Sequence, residues 1–169
     1  MVGAGGGASD PGRVLAELGA SLCAQILVVV PDWVEREVLR ILGAWIATDP
    51  SPAVARSAVR IDAQEAGRRA AADVAGRLQA LLSADVDAQS ITPLEVIRAA
   101  VVYPTGVLLR AGVPPVVRSS FDESRFPDDA YALTPASLGA VDPSLTAPAR
   151  EWGAAKAMAH KARHRRPGV

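Results

Sequence analysis

Apolar side chains recur at intervals of three and four residues along most of this chain, a spacing typical of amphipathic helices. Residues 10 to 26 carry the first such run, and residues 31 to 48 carry the second, with charged side chains on its opposite face. Asp10 followed by Pro11 is typical of a helix N-terminus. Because a residue that precedes proline avoids the α region, Pro31 predicts a boundary between two separate helices.

The third run is the longest, and it extends from residue 51 to about residue 83, with Ser51 as its predicted cap. Opposite charges four residues apart mark a solvated face. The apolar positions predict a slowly drifting stripe that consists of Val54, Ala58, Ile61, Ala66, Ala70, Val74, Leu78 and Leu81. At about 1.5 Å per residue the helix spans about 45 Å, against a diameter of about 40 Å for a compact domain of this length. It must therefore cross the molecule, bend at Gly67 or Gly76, or project toward a partner subunit.

Prolines and aromatic side chains concentrate between residues 92 and 131. Thr92 is followed by proline and, three residues on, by glutamate, which is a capping box that predicts a new helix. A further short helix is expected over residues 104 to 110, with Gly112 as its left-handed cap. The adjacent prolines at positions 114 and 115 then predict an extended arm.

Three more N-cap signals predict short helical turns. Ser120 and Glu123 match a capping box, and Thr134 and Asp142 are each a cap residue followed by proline. The last helix is expected from about residue 144 or 147 to residue 163. Its predicted inner side consists of Trp152, Ala155, Met158 and Ala159.

These elements predict an all-α, single-domain bundle of five to seven helices with a proline-rich irregular segment. Residues 10 to 164 form the predicted helical domain, between a disordered N-terminus at residues 1 to 9 and a basic tail at residues 165 to 169. The chain of 169 residues is 50% hydrophobic and only 4% aromatic, so small apolar side chains must fill the core. Its formal net charge of zero gives the whole molecule no attraction for nucleic acid or an anionic membrane.

The cysteine content and the N-terminal sequence indicate a cytoplasmic protein. Cys23 is the single cysteine, so no internal disulfide can form, and we expect a buried small side chain there. The glycine-rich N-terminus lacks the features of a signal peptide. The most apolar run, residues 22 to 30, is well short of the ~20 residues that a membrane span requires.

Six short motifs, in this order, resemble those of a group of short, uncharacterised actinobacterial helical proteins. The likeness covers roughly residues 92 to 166 and implies no catalytic residues, since the group has no assigned activity. The motifs are Thr92-Pro-Leu-Glu, Tyr103-Pro-Thr, Gly112-Val-Pro-Pro-Val, Phe126-Pro-Asp-Asp, Leu133-Thr-Pro-Ala-Ser and Trp152-Gly-Ala-Ala-Lys-Ala.

Few residues offer catalytic or cofactor chemistry. Gly3, Gly5 and Ala8 match a dinucleotide fingerprint formally, but no strand precedes them. His160 and His164 stand four apart on a helix, yet two ligands beside basic side chains do not make a stable zinc site. We expect no cofactor, no metal and no catalytic residues, and the acidic side chains are expected to cap helices and pair with the basic C-terminus: Asp122, Glu123, Asp128 and Asp129.

Aromatic and arginine side chains beside proline-fixed backbone are typical of protein interfaces, because they bury a large area at a low entropic cost. The sequence therefore favours a non-enzymatic interaction or assembly factor that binds a protein partner. Its candidate partner-binding residues are Tyr103, Phe121, Arg125, Phe126 and Tyr131. The same rings could instead fill the core, and a homo-oligomer also stays open.

Two other functions remain as alternatives. A nucleic-acid-associated protein would use the basic C-terminal residues for phosphate contacts: Lys161, Arg163, Arg165 and Arg166. A small-ligand-binding protein or an enzyme would need a polar cleft between helices that brings Tyr103, Arg125 and His160 together.

Overall fold

The computed structural model describes residues 9 to 49, 54 to 83 and 92 to 165, and no strand occurs among them. The predicted all-α fold is confirmed. The predicted cap at Ser51, the N-terminal residues 1 to 8 and the tail from Arg166 onward lie outside the described residues. The helices are α1 (Pro11–Thr48), α2 (Arg56–Ser83), α3 (Pro93–Ala99), α4 (Val102–Arg110), α5 (Ser120–Arg125), α6 (Leu138–Val141) and α7 (Thr146–His164), with a 3₁₀ turn (Pro143–Leu145) before α7.

Helix α1 continues through Pro31, so the predicted boundary at this residue is wrong. A proline inside a helix removes one hydrogen bond and costs about 3 kcal/mol. The full burial of one valine or leucine side chain contributes about 1.5–3 kcal/mol, so a continuous buried stripe outweighs that cost. The stripe runs on both sides of the proline and consists of Leu22, Ile26, Val30, Val34 and Val38.

Helix α2 packs antiparallel to α1, because Arg60 pairs with Glu35 while Gly67, further along α2, lies against the earlier Pro31. The backbones of the two helices approach closely at Gly67. A Cβ atom placed on Gly67 would lie 2.9 Å from the carbonyl oxygen of Pro31, which is backbone that cannot turn away. The flanking Ala63 and Ala70 are fully buried in the same seam. Small side chains therefore set the spacing of the two long helices, and Gly67 acts as a contact point between them.

The predicted stripe of α2 is confirmed in its C-terminal part, where Ala66, Ala70, Val74, Leu78 and Leu81 are buried. It is wrong in the N-terminal part, where Val59 and Ala63 are buried in place of Ala58 and Ile61. Ile61, predicted to be buried, is 64% exposed. The apolar pattern of this helix drifts slowly around its axis, so position along the chain alone placed Ile61 on the wrong side.

Helix α7 packs along the N-terminal half of α1, where the ring of Trp152 lies beside Gly19. Trp152, Ala155 and Ala159 are buried as predicted, but Met158 is exposed. Helix α4 contacts both long helices, and α3 contacts α2. The positions of α3 and α4 therefore depend on the α1–α2 pair.

The caps of α3 and α4 follow the sequence signals closely. The Thr92 hydroxyl accepts a hydrogen bond from the amide of Glu95 at 3.4 Å, as predicted. Helix α4 begins at Val102, two residues earlier than expected, because a proline is tolerated in the first turn. Gly112 has the predicted left-handed conformation, with φ of 80°. The amide of Val113 donates to the carbonyl of Leu108 at 3.1 Å, which completes the glycine-terminated helix end.

The later cap signals are confirmed in part. Ser119, rather than Ser120, caps α5 by accepting a hydrogen bond from the amide of Asp122. Asp142 caps the 3₁₀ turn before α7, as predicted, and accepts from the amide of Ser144. Thr134 begins no helix, because its amide and hydroxyl bind a buried carboxylate instead.

Helix α1 is long and apolar enough to cross a bilayer, judged by length and composition. Core helices can meet the same criteria, since both need an extended apolar surface. In this fold Leu22, Ile26 and Val30 of the apolar stretch are already buried against protein. The apolar stretch is longer than the predicted run of residues 22 to 30, and 22% of its most apolar 18 residues are buried in the fold.

The contact at Gly67 generates a paired test on α2. Gly67→Ala should lower the free energy of unfolding by about 1 kcal/mol or more, because overpacking costs about 1–3 kcal/mol and exceeds the gain in helix propensity. Gly76→Ala is the matched control, since its Cβ would meet no atom within 4 Å. That variant should be as stable as the wild type or up to about 1 kcal/mol more stable. Chemical denaturation measures both, and equal effects would contradict the close contact.

Candidate functional site

The extended segment over residues 114 to 119, called here the proline arm, is fixed to the chain that follows it. Its valines and prolines lie outside any helix. Three hydrogen bonds join the arm and the residue before it to residues 126 to 131: the Tyr131 hydroxyl donates to the Val113 carbonyl at 2.6 Å, the Val116 amide to the Ala130 carbonyl at 3.1 Å, and the Arg118 guanidinium to the Phe126 carbonyl at 2.7 Å. The arm therefore has a defined conformation.

Tyr131 is a core residue in this structure. Its side chain is 2% exposed, and burial raises the pKa of its hydroxyl above the ordinary value. The hydroxyl donates its hydrogen bond to a backbone carbonyl, so the ring is inward and the polar atom is satisfied. Of the two roles open to it from the sequence, Tyr131 thus takes the core role and presents no ring to a partner.

The buried carboxylate of Asp129 organises the turn that follows. It accepts hydrogen bonds of 2.7 Å each from the Leu133 amide, the Thr134 amide and the Thr134 hydroxyl. Ala132, inside this turn, has a positive φ of 55°, which non-glycine residues seldom adopt. The carboxylate therefore holds an unfavourable backbone turn in place, which is the chemistry of a cap.

Arg98 on α3 joins this segment to the helices, a role that the sequence analysis did not predict. Its guanidinium donates to the carbonyls of Pro135 at 3.1 Å and Ala136 at 3.4 Å, and it pairs with Glu95 at 2.6 Å. These contacts link residues 37 and 38 positions apart in the chain. No local pattern reports such a pairing, because a helical Arg–Glu pair is an ordinary surface feature.

Two arginines lie near the ring of Phe126. The guanidinium carbon of Arg125 is 5.0 Å from the ring centroid, and that of Arg98 is 5.9 Å from it. Both distances are within the range of cation–π attraction. The ring is half-buried beside a hollow of about 200 Å³, whereas Arg125 is exposed at its mouth. Phe126 is therefore partly a packing residue, and Arg125 remains accessible.

Several apolar side chains of the proline arm and of α5 are exposed to solvent. Phe121 is 68% exposed, Val117 is fully exposed, and Val116 is exposed beside them in the chain. These three residues are called here the arm surface. Of the predicted partner-binding residues, Phe121 and Arg125 lie at this exposed end of the segment, and the two valines were not predicted.

Tyr103 lies elsewhere, so the structure does not bring the five predicted partner residues together. It is half-buried in a hollow between α2 and α4. Arg125 lines the hollow beside Phe126, and His160 lines a third one near Pro11. The ligand-binding alternative requires one polar cleft that contains all three side chains. In this structure Tyr103, Arg125 and His160 line three separate hollows instead.

The metal and nucleic-acid candidates lie on α7. Across residues 9 to 49, 54 to 83 and 92 to 165, no three His, Cys, Asp or Glu side chains are grouped to hold a metal ion. The rings of His160 and His164 lie 4.5 Å apart, as their spacing on a helix predicts. Lys161, Arg163 and Arg165 are all exposed at the same end of α7.

Cys23 packs partly buried against the core, as expected for a small apolar side chain. Burial raises the pKa of its thiol above the ordinary value. A thiol with a raised pKa forms little of the nucleophilic thiolate at neutral pH. Cys23 therefore has the chemistry of a packing residue.

Comparison with known proteins gives no further assignment. The chain matches no protein-family model, no curated protein and no solved structure. Its function must therefore be inferred from the residues and contacts described above.

The role of Asp129 as a buried cap can be tested by comparing its substitution with that of the adjacent, exposed Asp128. Asp129→Ala should lower the free energy of unfolding by about 3 kcal/mol, because it leaves three donors without their charged acceptor. Asp128→Ala removes an adjacent carboxylate that is exposed, and it should change stability by less than about 0.5 kcal/mol. Denaturation gives both values. Amide hydrogen exchange at Leu133 and Thr134 would locate the loss, and unchanged protection in Asp129→Ala would refute the cap.

Proposed function

We propose that this chain is a cytoplasmic, non-enzymatic interaction or assembly factor that docks a protein partner on the arm surface. The observation that carries the proposal is the combination of a fixed backbone with apolar side chains in water. Three hydrogen bonds hold the proline arm, yet Val117 and Phe121 are directed to solvent. A backbone that is already ordered loses little entropy on binding, so the burial of its side chains contributes more fully to affinity.

Packing in the core does not require the exposed ring of Phe121 or the exposed valines of the arm. Tyr131 and Val113 anchor the segment from inside, and Arg118 anchors it through its guanidinium. Phe121 contributes little to that packing because most of its surface is in water. Burial of one such side chain at an interface is worth about 1.5–3 kcal/mol.

Charges around the arm surface indicate the kind of partner. Three exposed carboxylates, those of Asp122, Glu123 and Asp128, lie near it along the chain together with two arginines, Arg118 and Arg125. The Arg118 guanidinium is held by the Phe126 carbonyl, so the rim carries both signs with a small acidic excess. A partner surface with an apolar centre and edges of both signs would complement it.

The nucleic-acid alternative rests on a different observation, the exposure of Lys161, Arg163 and Arg165 at the end of α7. It predicts that binding to duplex or single-stranded DNA or RNA falls steeply between 50 and 200 mM salt, roughly tenfold or more for each two to three phosphate contacts. Removal of residues 161 to 169 should abolish that binding. Fluorescence anisotropy with labelled oligonucleotides measures both effects, and salt-independent binding would contradict this alternative.

The arm-surface proposal is tested by charge insertion at exposed positions. Phe121→Asp and Val117→Asp should each remove a specific partner from affinity purifications made in the native cell with nuclease treatment. Both side chains are exposed, so the fold and its thermal midpoint should stay unchanged. Once the partner is purified, Phe121→Ala should weaken its binding at least tenfold, which corresponds to about 1.4 kcal/mol.

Val28→Asp is the control variant, because Val28 is an exposed apolar residue on α1. It should recover the partner as the wild type does. Recovery that is equal for Phe121→Asp, Val117→Asp and the wild type would overturn the proposal. Recovery that is lost in all three variants would show a general effect of surface charge and would also count against it.

A further inference from the structure

A second exposed surface lies between α2 and α4, separate from the arm surface in its residues. A hollow of about 340 Å³ opens there, lined on one side by α2 and on the other by α4. Its lining includes Ala66 and Gly106, and the Arg110 guanidinium lies over Gly106, 3.3 Å from where a Cβ atom would be. This surface, with the residues named next, is called here the α2–α4 face.

Apolar side chains flank the hollow and are not used by the core. Val102 is 48% exposed and Leu109 is 50% exposed, and the two share the outward stripe of α4 with Gly106. Ile61 is the exposed apolar residue of α2, one turn before Glu65. The inward residues of α4, Val107 and Leu108, are fully covered, so the outward stripe is surplus to the fold.

The charges that rim the hollow are balanced. Asp62 and Glu65 supply two carboxylates, and Arg69 and Arg110 supply two guanidinium groups. Glu65 pairs with Arg69 at 3.1 Å within α2. Within the described parts of the chain, Asp62 and Arg110 form no ion pair or side-chain hydrogen bond, so one charge of each sign is available to a second molecule.

We propose that the α2–α4 face is a self-complementary interface between two copies of this chain. A twofold axis brings the same patch of both copies together. Any contact between a residue of one copy and a residue of the other therefore occurs twice, once in each direction. A patch of one sign would repel itself, whereas a patch with two acids and two arginines can pair acid with base on both sides. The chain has a net charge of zero, so no long-range repulsion opposes the association.

The arm surface differs from this face in its charges. It has three carboxylates near it along the chain against two arginines, one of which, Arg118, is held by the Phe126 carbonyl. The α2–α4 face has equal numbers of acidic and basic groups at its rim, so each copy can offer the other a group of opposite sign. Tyr103, which the sequence grouped with the arm residues, belongs to this second surface.

The test uses two variants that make the face uniform in charge. Arg69→Glu with Arg110→Glu gives an all-acidic face, and Asp62→Lys with Glu65→Lys gives an all-basic face. Wild-type protein should sediment with twice the mass of one chain over a micromolar concentration series. Each double variant should dimerise at least about 100-fold more weakly, because like charges then face each other. An equimolar mixture of the two should restore a one-to-one heterodimer, detected by native mass spectrometry.

The control carries the same change in net charge on other helices. Arg13→Glu with Arg150→Glu alters exposed residues of α1 and α7 and should leave the dimer intact. Circular dichroism must show folded helices in every variant. A wild-type chain that is monomeric throughout, a dimer that survives both double variants, or a mixture that stays monomeric would each overturn the proposal. Phe121→Asp should remain dimeric, so failure here is distinct from failure at the arm surface.

Discussion

The contact between α1 and α2 at Gly67 is the constraint on which the remaining packing depends. Its backbone approaches the Pro31 carbonyl so closely that no side chain fits between them. The alanine and valine stripes on either side can meet only at that spacing, because their side chains are short. Helix α4 rests on both long helices and α3 on α2, so the placement of the later segment follows from this one approach.

The second half of the molecule is stabilised differently. Residues 111 to 137 contain little helix, and backbone groups outside helices need other hydrogen-bond partners when they are buried. Asp129, Arg98 and the Tyr131 hydroxyl supply these partners to amides and carbonyls of the irregular segment. Because polar side chains fix the backbone, the apolar side chains of the arm are not needed for that task. This division leaves Val117 and Phe121 available to a partner.

Periodicity and caps predicted the fold class and most helix ends, since both are local properties of the chain. Pro31 was misjudged because a local preference yielded to a long buried stripe, and Ile61 because a drifting pattern does not fix which side faces inward. Tyr131 and Phe121 are aromatic residues ten positions apart, yet one is buried and the other is exposed. The buried ring is fixed by a hydrogen bond from its hydroxyl to Val113, 18 positions away, and a contact of that range has no local signature.

The two proposed surfaces have a joint consequence. A dimer formed through the α2–α4 face would carry two arm surfaces on one particle, since each copy contributes its own. If a partner also presents repeated sites, the second contact becomes intramolecular, and avidity can exceed the single-site affinity by about 10²–10⁴ where the geometry allows both contacts. Each arm surface offers only a few exposed apolar side chains, so a single contact would be weak. Dimerisation would therefore convert a small docking surface into a firm one without any added contact at the arm itself.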